Sequence, residues 1–183
     1  QANTASGSLY TIDVTRDASN HITGFVGSAT RFGGPSGAVG EYNDGGVTFG
    51  PGGVLFTSRW PINGLGQTLP GSINEDKIIE LGPLGAVNSH AAINFVPSTF
   101  GGAGQAKLVS WAGGEWYTAT LAPDGRGTFD LGALSRVDLN PAVAGVQNVP
   151  GGPEGFVYIA AGNAGFGANA MLISEYSAGA VGA

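Results

Sequence analysis

The sequence predicts an all-β fold, a β-propeller-like array of about three four-stranded antiparallel blades. Three observations predict it. Glycine supplies 34 of the 183 residues, well above the roughly 7% of an average domain. Charged residues make up only 11%, where globular domains average about 25%. A strand–turn–strand pattern also recurs along the chain. Many turns and few helices follow from the first two, and the 42% hydrophobic content is too high for a disordered chain.

The first unit runs from Gly45-Gly46-Val47-Thr48-Phe49 to Val54-Leu55-Phe56-Thr57-Ser58. The second runs from Ala92-Ile93-Asn94-Phe95-Val96 to Lys107-Leu108-Val109-Ser110, and the third from Gly155-Phe156-Val157-Tyr158-Ile159 to Met171-Leu172-Ile173-Ser174. Each is an apolar strand, a turn rich in Gly, Pro or Asn, and a second apolar strand closing on serine. The serines lie 52 and 64 positions apart, compatible with units of roughly 40–50 residues that carry inserted loops. After each serine come an aromatic and a turn: Trp60 with Asn63-Gly64, Trp111 with Gly113-Gly114, Tyr176 with Ala178-Gly179. A third strand is clearest at Glu115 to Leu121, ending at Pro123-Asp124-Gly125, and fourth strands are expected at Lys77 to Leu81 and Gly127 to Leu131. The whole chain, 1–183, reads as a single domain with units at 8–32, 45–82, 91–131 and 155–183, the first and last being part blades.

The two ends complement each other. Ser8 to Val14, a turn at Asp17 to Asn20, and His21 to Val26 resemble the third and fourth strands of a unit, whereas the C-terminus stops near a third strand. Three units hardly close a ring, so the expectation is either a piece of a longer propeller, which is favoured, or half of a dimeric six-bladed ring.

The segments His90 to Pro97, Pro153 to Tyr158 and Leu172 to Tyr176 resemble secreted bacterial propeller-like proteins of the PEP-CTERM-associated kind. More distantly, the repeats are similar to NHL-type and gluconolactonase-type propellers. The first resemblance implies export, to the extracellular space or cell surface, and further C-terminal sequence. It implies no activity. The start at Gln1 fits removal of a leader.

Net charge is −6 with no Lys/Arg cluster, which argues against nucleic acid and anionic membrane as partners. Cysteine is absent, excluding disulfides, thiolate nucleophiles and Cys-ligated metals. The longest uncharged run, Gly155 to Ser174, is broken by glycines and asparagines and is not a membrane-spanning pattern. With only His21 and His90 and no G-x-S-x-G elbow, H-E-x-x-H, P-loop or EF-hand motif, no catalytic residue is nominated. The G-x-G-x-x-A match at Gly165 to Ala170 lies between two strands and reads as a turn.

The best functional positions are the entries of the innermost strands, where a propeller gathers polar groups from several blades. These are Asp44, His90 and Glu154, with Asn43 and Asn88 nearby. Hard oxygen donors suit Ca²⁺; Glu154-Gly155 resembles the first ligand motif of gluconolactonase-like enzymes, which implies a channel metal. The structural alternative has Asp44 and Asn43 capping a turn, His90 packed and Glu154 solvated. The loop Glu41 to Gly45 is a second candidate cation site, explained equally by turn chemistry. Trp60, Trp111, Trp116 and Tyr176 form a candidate ligand or interface surface, or else pack between blades. The function expected is a non-catalytic extracellular binding or structural protein that meets a protein, a polysaccharide or copies of itself. The alternative is a Ca²⁺-dependent lactonase or hydrolase.

Overall fold

The computed structural model describes residues 4–182. Among the described residues fifteen strands follow one another: β1 (Tyr10–Arg16), β2 (Ile22–Arg31), β3 (Val47–Phe49), β4 (Leu55–Arg59), β5 (Gly64–Thr68), β6 (Lys77–Glu80), β7 (His90–Phe95), β8 (Ala106–Ser110), β9 (Trp116–Ala119), β10 (Leu121–Pro123), β11 (Phe129–Leu131), β12 (Ser135–Val137), β13 (Pro153–Ile159), β14 (Ala170–Glu175) and β15 (Ala180–Gly182). Three short 3₁₀ turns complete the assigned elements, and no helix among the described residues is long and apolar enough to cross a membrane.

The protein is all-β, built from antiparallel sheets of two to four strands, none of them closed. The three repeats become three meanders. The first is β3-β4-β5-β6, the second β7-β8-β9-β12, and the third β13-β14-β15. β1-β2 and β10-β11 are separate hairpins. The fourth strand of the second meander therefore differs from the expectation. Phe129–Leu131 is a strand, but it pairs with Leu121–Pro123, and Ser135–Val137 takes the place beside Trp116–Thr118. β9 ends at Ala119, and β10-β11 turns away over the first meander. There the Gln67 side chain holds Phe129 through both its N–H and its carbonyl, at 2.9 and 2.8 Å.

The sheets stack by their apolar faces. Between the first and second lie Phe56, Leu65, Leu81, Ile93, Leu108, Tyr117 and Leu131, with Phe56 edge-on to Phe95 at 4.9 Å. Between the second and third lie Ala92, Val109, Trp116 and Val149, joined by Phe156, Met171 and Ile173. Burying apolar surface on both faces of the middle sheet drives this stacking.

The inner strands meet edge to edge. The Gly46 N–H donates to the Ala91 carbonyl at 2.5 Å, and a Cβ on Gly45 would collide with that same carbonyl. Only glycine permits so close a backbone approach. Asn94 on β7 ties all three meanders: its carbonyl accepts from Thr48 at 3.5 Å and its amide donates to the Phe156 carbonyl at 3.2 Å.

The outer face of the first meander is covered by the segment 33–44, where Val39 is buried and the Ala38 N–H bonds the Ile73 carbonyl at 3.1 Å. Beneath it Arg59 pairs with Glu75, and Thr57 donates to Glu75 at 2.9 Å.

Candidate functional site

A pocket of about 160 Å³ opens where the inner strands begin, lined by Asp44, Trp60, Ala91, Trp111, Glu154 and Tyr176. Its wall repeats with the fold. Asp44, Ala91 and Glu154 come from the inner-strand entries of the three meanders, and Trp60, Trp111 and Tyr176 from the residues just beyond β4, β8 and β14.

Backbone irregularity aims two of these side chains. The β7-β8 ladder passes from Ala92↔Val109 to His90↔Ser110, leaving Ala91 unpaired. The β13-β14 ladder passes from Gly155↔Ser174 to Pro153↔Glu175, leaving Glu154 unpaired. An extra residue in one strand bends it and redirects a side chain.

The same shift decides where His90 lies. It shares the register of Ser110 on the face bearing Leu108 and Ile93. At 1% exposure, neither ring nitrogen has a hydrogen-bond partner. Burial pushes its pKa down to about 3, so the ring is neutral. His90 does not line the pocket that Asp44 and Glu154 share. Among the described residues no three His, Cys, Asp or Glu side chains gather to hold a metal.

Within the pocket the charge is one-sided. Burial raises the pKa of Glu154 above its ordinary value, the Asp44 carboxylate raises it further, and the Trp111 indole acts in the opposite direction. The indole Nε1 is buried without a hydrogen bond of regular geometry. The rings of Trp60 and Trp111 stand edge to face, centroids 5.9 Å apart and planes at 66°. Tyr176, 67% exposed, forms the rim.

Trp116 lies elsewhere: it is buried between the second and third sheets, 4.8 Å from the Phe156 ring. Asn88 donates to the buried Glu115 carboxylate at 2.9 Å, where Ser110 also donates. Of the loop Glu41 to Gly45, Glu41 reaches toward Arg59 at 4.0 Å and the Tyr42 ring lies under that guanidinium at 5.7 Å.

A larger cleft of about 480 Å³ is lined by Leu69, Asp76, Lys77, Asp124, Arg126, Thr128 and Asp130, residues that sequence reasoning did not single out. Its lysine and its three carboxylates are already engaged. Lys77 bonds Asp124 at 2.8 Å and Asp130 at 2.6 Å. Asp124 also accepts from Thr128 and from the Arg126 N–H, and Lys77 with these donors holds its pKa well below the usual carboxylate range. Asp76 accepts from the Leu69 N–H at 2.7 Å and from Ser72 at 2.9 Å. Such a set clips the β10-β11 hairpin to the first meander. The smaller pocket has two acids and no base on its wall.

Set against known proteins, the chain matches no family model, no curated protein and no solved structure.

Proposed function

We propose that this is a non-catalytic extracellular binding protein of propeller-like architecture, and that the Asp44–Glu154 pocket is its ligand site. The observation that carries this is the pocket itself: both acids and three of the four aromatics expected to matter converge on one concavity, built from equivalent positions of three successive meanders. Successive packing of these sheets by their apolar faces, with inner strands in contact, supports the propeller-like reading. The extracellular setting rests on the resemblance to secreted propeller-like proteins.

The alternative, a Ca²⁺-dependent lactonase, requires Asp44, His90 and Glu154 around one ion. His90 sits on the opposite side of the register shift, which favours binding over that chemistry. Neither histidine bonds a serine: His21 is engaged with Asp17 at 3.0 Å, and His90 has no partner.

The test is a thermal-shift and indole-fluorescence screen of small amines, neutral sugars and divalent cations. At least one class is expected to raise Tm saturably in the native chain and to leave Trp111→Ala unmoved. No saturable response, or one that persists unchanged in Trp111→Ala, overturns the assignment.

Self-assembly is a second reading, favoured by exposed apolar side chains. Phe25 on β2 and Phe49 on β3 are each 70% exposed, and Val157 and Val181 of the third meander are exposed as well. Unpaired edges and apolar faces invite a further sheet. Light scattering is expected to give a mass above 18.2 kDa that falls to it in a Phe25→Ser/Phe49→Ser variant. A native chain that is monomeric at high micromolar concentration removes this reading.

A further inference from the structure

We infer that the pocket receives an organic ammonium group, an alkylated amine head held by Asp44 and Glu154 against the rings of Trp60, Trp111 and Tyr176. The inference rests on the pocket being a ligand site and names the class of its occupant.

Charge comes first. Two carboxylates line the wall, and no Lys or Arg does. The pair repels itself, as the upward displacement of Glu154 by Asp44 reflects. A cation placed between the two relieves that repulsion and favours the charged form of Glu154.

The nature of the cation follows from the rest of the wall. Ca²⁺ takes six to eight oxygen ligands, whereas this lining has two carboxylates, three aromatic residues and Ala91. Hydrocarbon and π surface cannot replace the water lost by a small inorganic ion. They match a cation that carries its own apolar surface, because the electron-rich face of Trp and Tyr attracts positive charge spread over methyl groups.

Ring geometry separates this occupant from a sugar. A pyranose stacks on a flat aromatic platform, while Trp60 and Trp111 stand at 66° to each other and enclose a corner. A neutral sugar also leaves the acid pair uncompensated. The volume, about 160 Å³, falls below the roughly 300–1,000 Å³ of sites that engulf a whole drug-sized ligand. It suits a head group whose remainder leaves past the exposed Tyr176.

The experiment is calorimetric titration of the full chain with choline, with its neutral isostere 3,3-dimethyl-1-butanol, with calcium chloride and with cellobiose, read in parallel by indole fluorescence. Choline is expected to bind saturably, at least about tenfold more tightly than the isostere, and Trp111→Ala to weaken it about tenfold or more. Glu154→Gln is expected to weaken choline several-fold without changing the circular dichroism spectrum; should it fail to fold, Asp44→Asn makes the same test. Equal affinity for choline and the isostere, or saturation by calcium or cellobiose alone, overturns the ammonium assignment and leaves a binding site. Saturation by none of the four probes overturns both.

Discussion

Replacing Glu75 by alanine is expected to destabilise the protein by about 3–5 kcal/mol, the usual cost of stranding one member of a buried ion pair. The partner left behind is Arg59, 6% exposed at the end of β4. Its guanidinium lies against Glu75, whose side chain is itself almost wholly buried. Glu75 also accepts from Thr57, and a Cβ on Gly66 would occupy the space of the Glu75 carboxylate. Pairing is thus built into the facing strand, where a missing side chain makes room for the acid.

The remaining groups compensate little: Glu41 stands 4.0 Å away and is partly in water, and the Arg59 Nε is already without a hydrogen-bond partner. Denaturation followed by far-ultraviolet circular dichroism checks the value. Glu75→Gln, which keeps the hydrogen-bonding shape without the charge, is expected to fall between the native chain and Glu75→Ala. An Arg59→Met/Glu75→Leu double variant is expected to recover most of the loss, because apolar pairs of similar volume avoid the desolvation of two ions. A Glu75→Ala stability within about 1 kcal/mol of the native value would contradict a buried pair, since such substitutions belong to the ordinary surface range.

The second large effect is on acid stability, and it comes from His90. Its folded pKa is about 3, against an ordinary 6.5, because the ring is surrounded by protein and bonds nothing. The folded state therefore holds it neutral, while the unfolded chain takes up a proton as the pH falls below 6.5. Stability is accordingly full above 6.5 and declines by about 1.4 kcal/mol for each pH unit below it. The decline ends near pH 3, where the folded ring protonates as well.

The slope is read most cleanly between pH 6 and 5, above the ordinary carboxylate range. In His90→Gln it is expected to be lost, leaving only the small opposite trend of Glu154, whose raised pKa favours the folded state as the pH falls. Identical slopes in the native and variant chains would mean that His90 reaches solvent or a proton acceptor in the folded state.

Much of the architecture was legible because its signals are local. The apolar strands ending at Ser58, Ser110 and Ser174, the turn at Asn63-Gly64 and the hairpin around Asp17 to Asn20 all appear where their residues place them. Asp17 accepts from the Ser19 and His21 N–H groups, and Asn20 and Asn63 adopt positive φ. Short Asn, Asp and Gly side chains favour such turns irrespective of their surroundings.

The candidate site was legible only to within one residue on β7. His90 was nominated as an inner-strand entry, but Ala91 lines the pocket, because a register shift transfers each following side chain to the opposite face. Nothing in Ser89-His90-Ala91-Ala92 announces that shift; it arises from how β7 seats against β8 and beneath Gly46. Likewise, Phe129–Leu131 carries a good strand pattern, yet its partner is chosen by Gln67, 62 positions earlier. Trp116 resembles Trp60 and Trp111 in composition alone; its place on β9 turns it toward Phe156 and into the core.

By itself, then, the sequence determined the principal strands of the three repeats, their turns, the three-fold repetition and the acidic, cysteine-free character of the chain, since these depend on neighbours a few residues apart. Tertiary structure decided which carboxylates face each other, which indoles stay at the surface, and that Arg59 meets Glu75. Each of those depends on strand register and on sheets packing across dozens of residues, where a shift of one position exchanges the buried face for the exposed one.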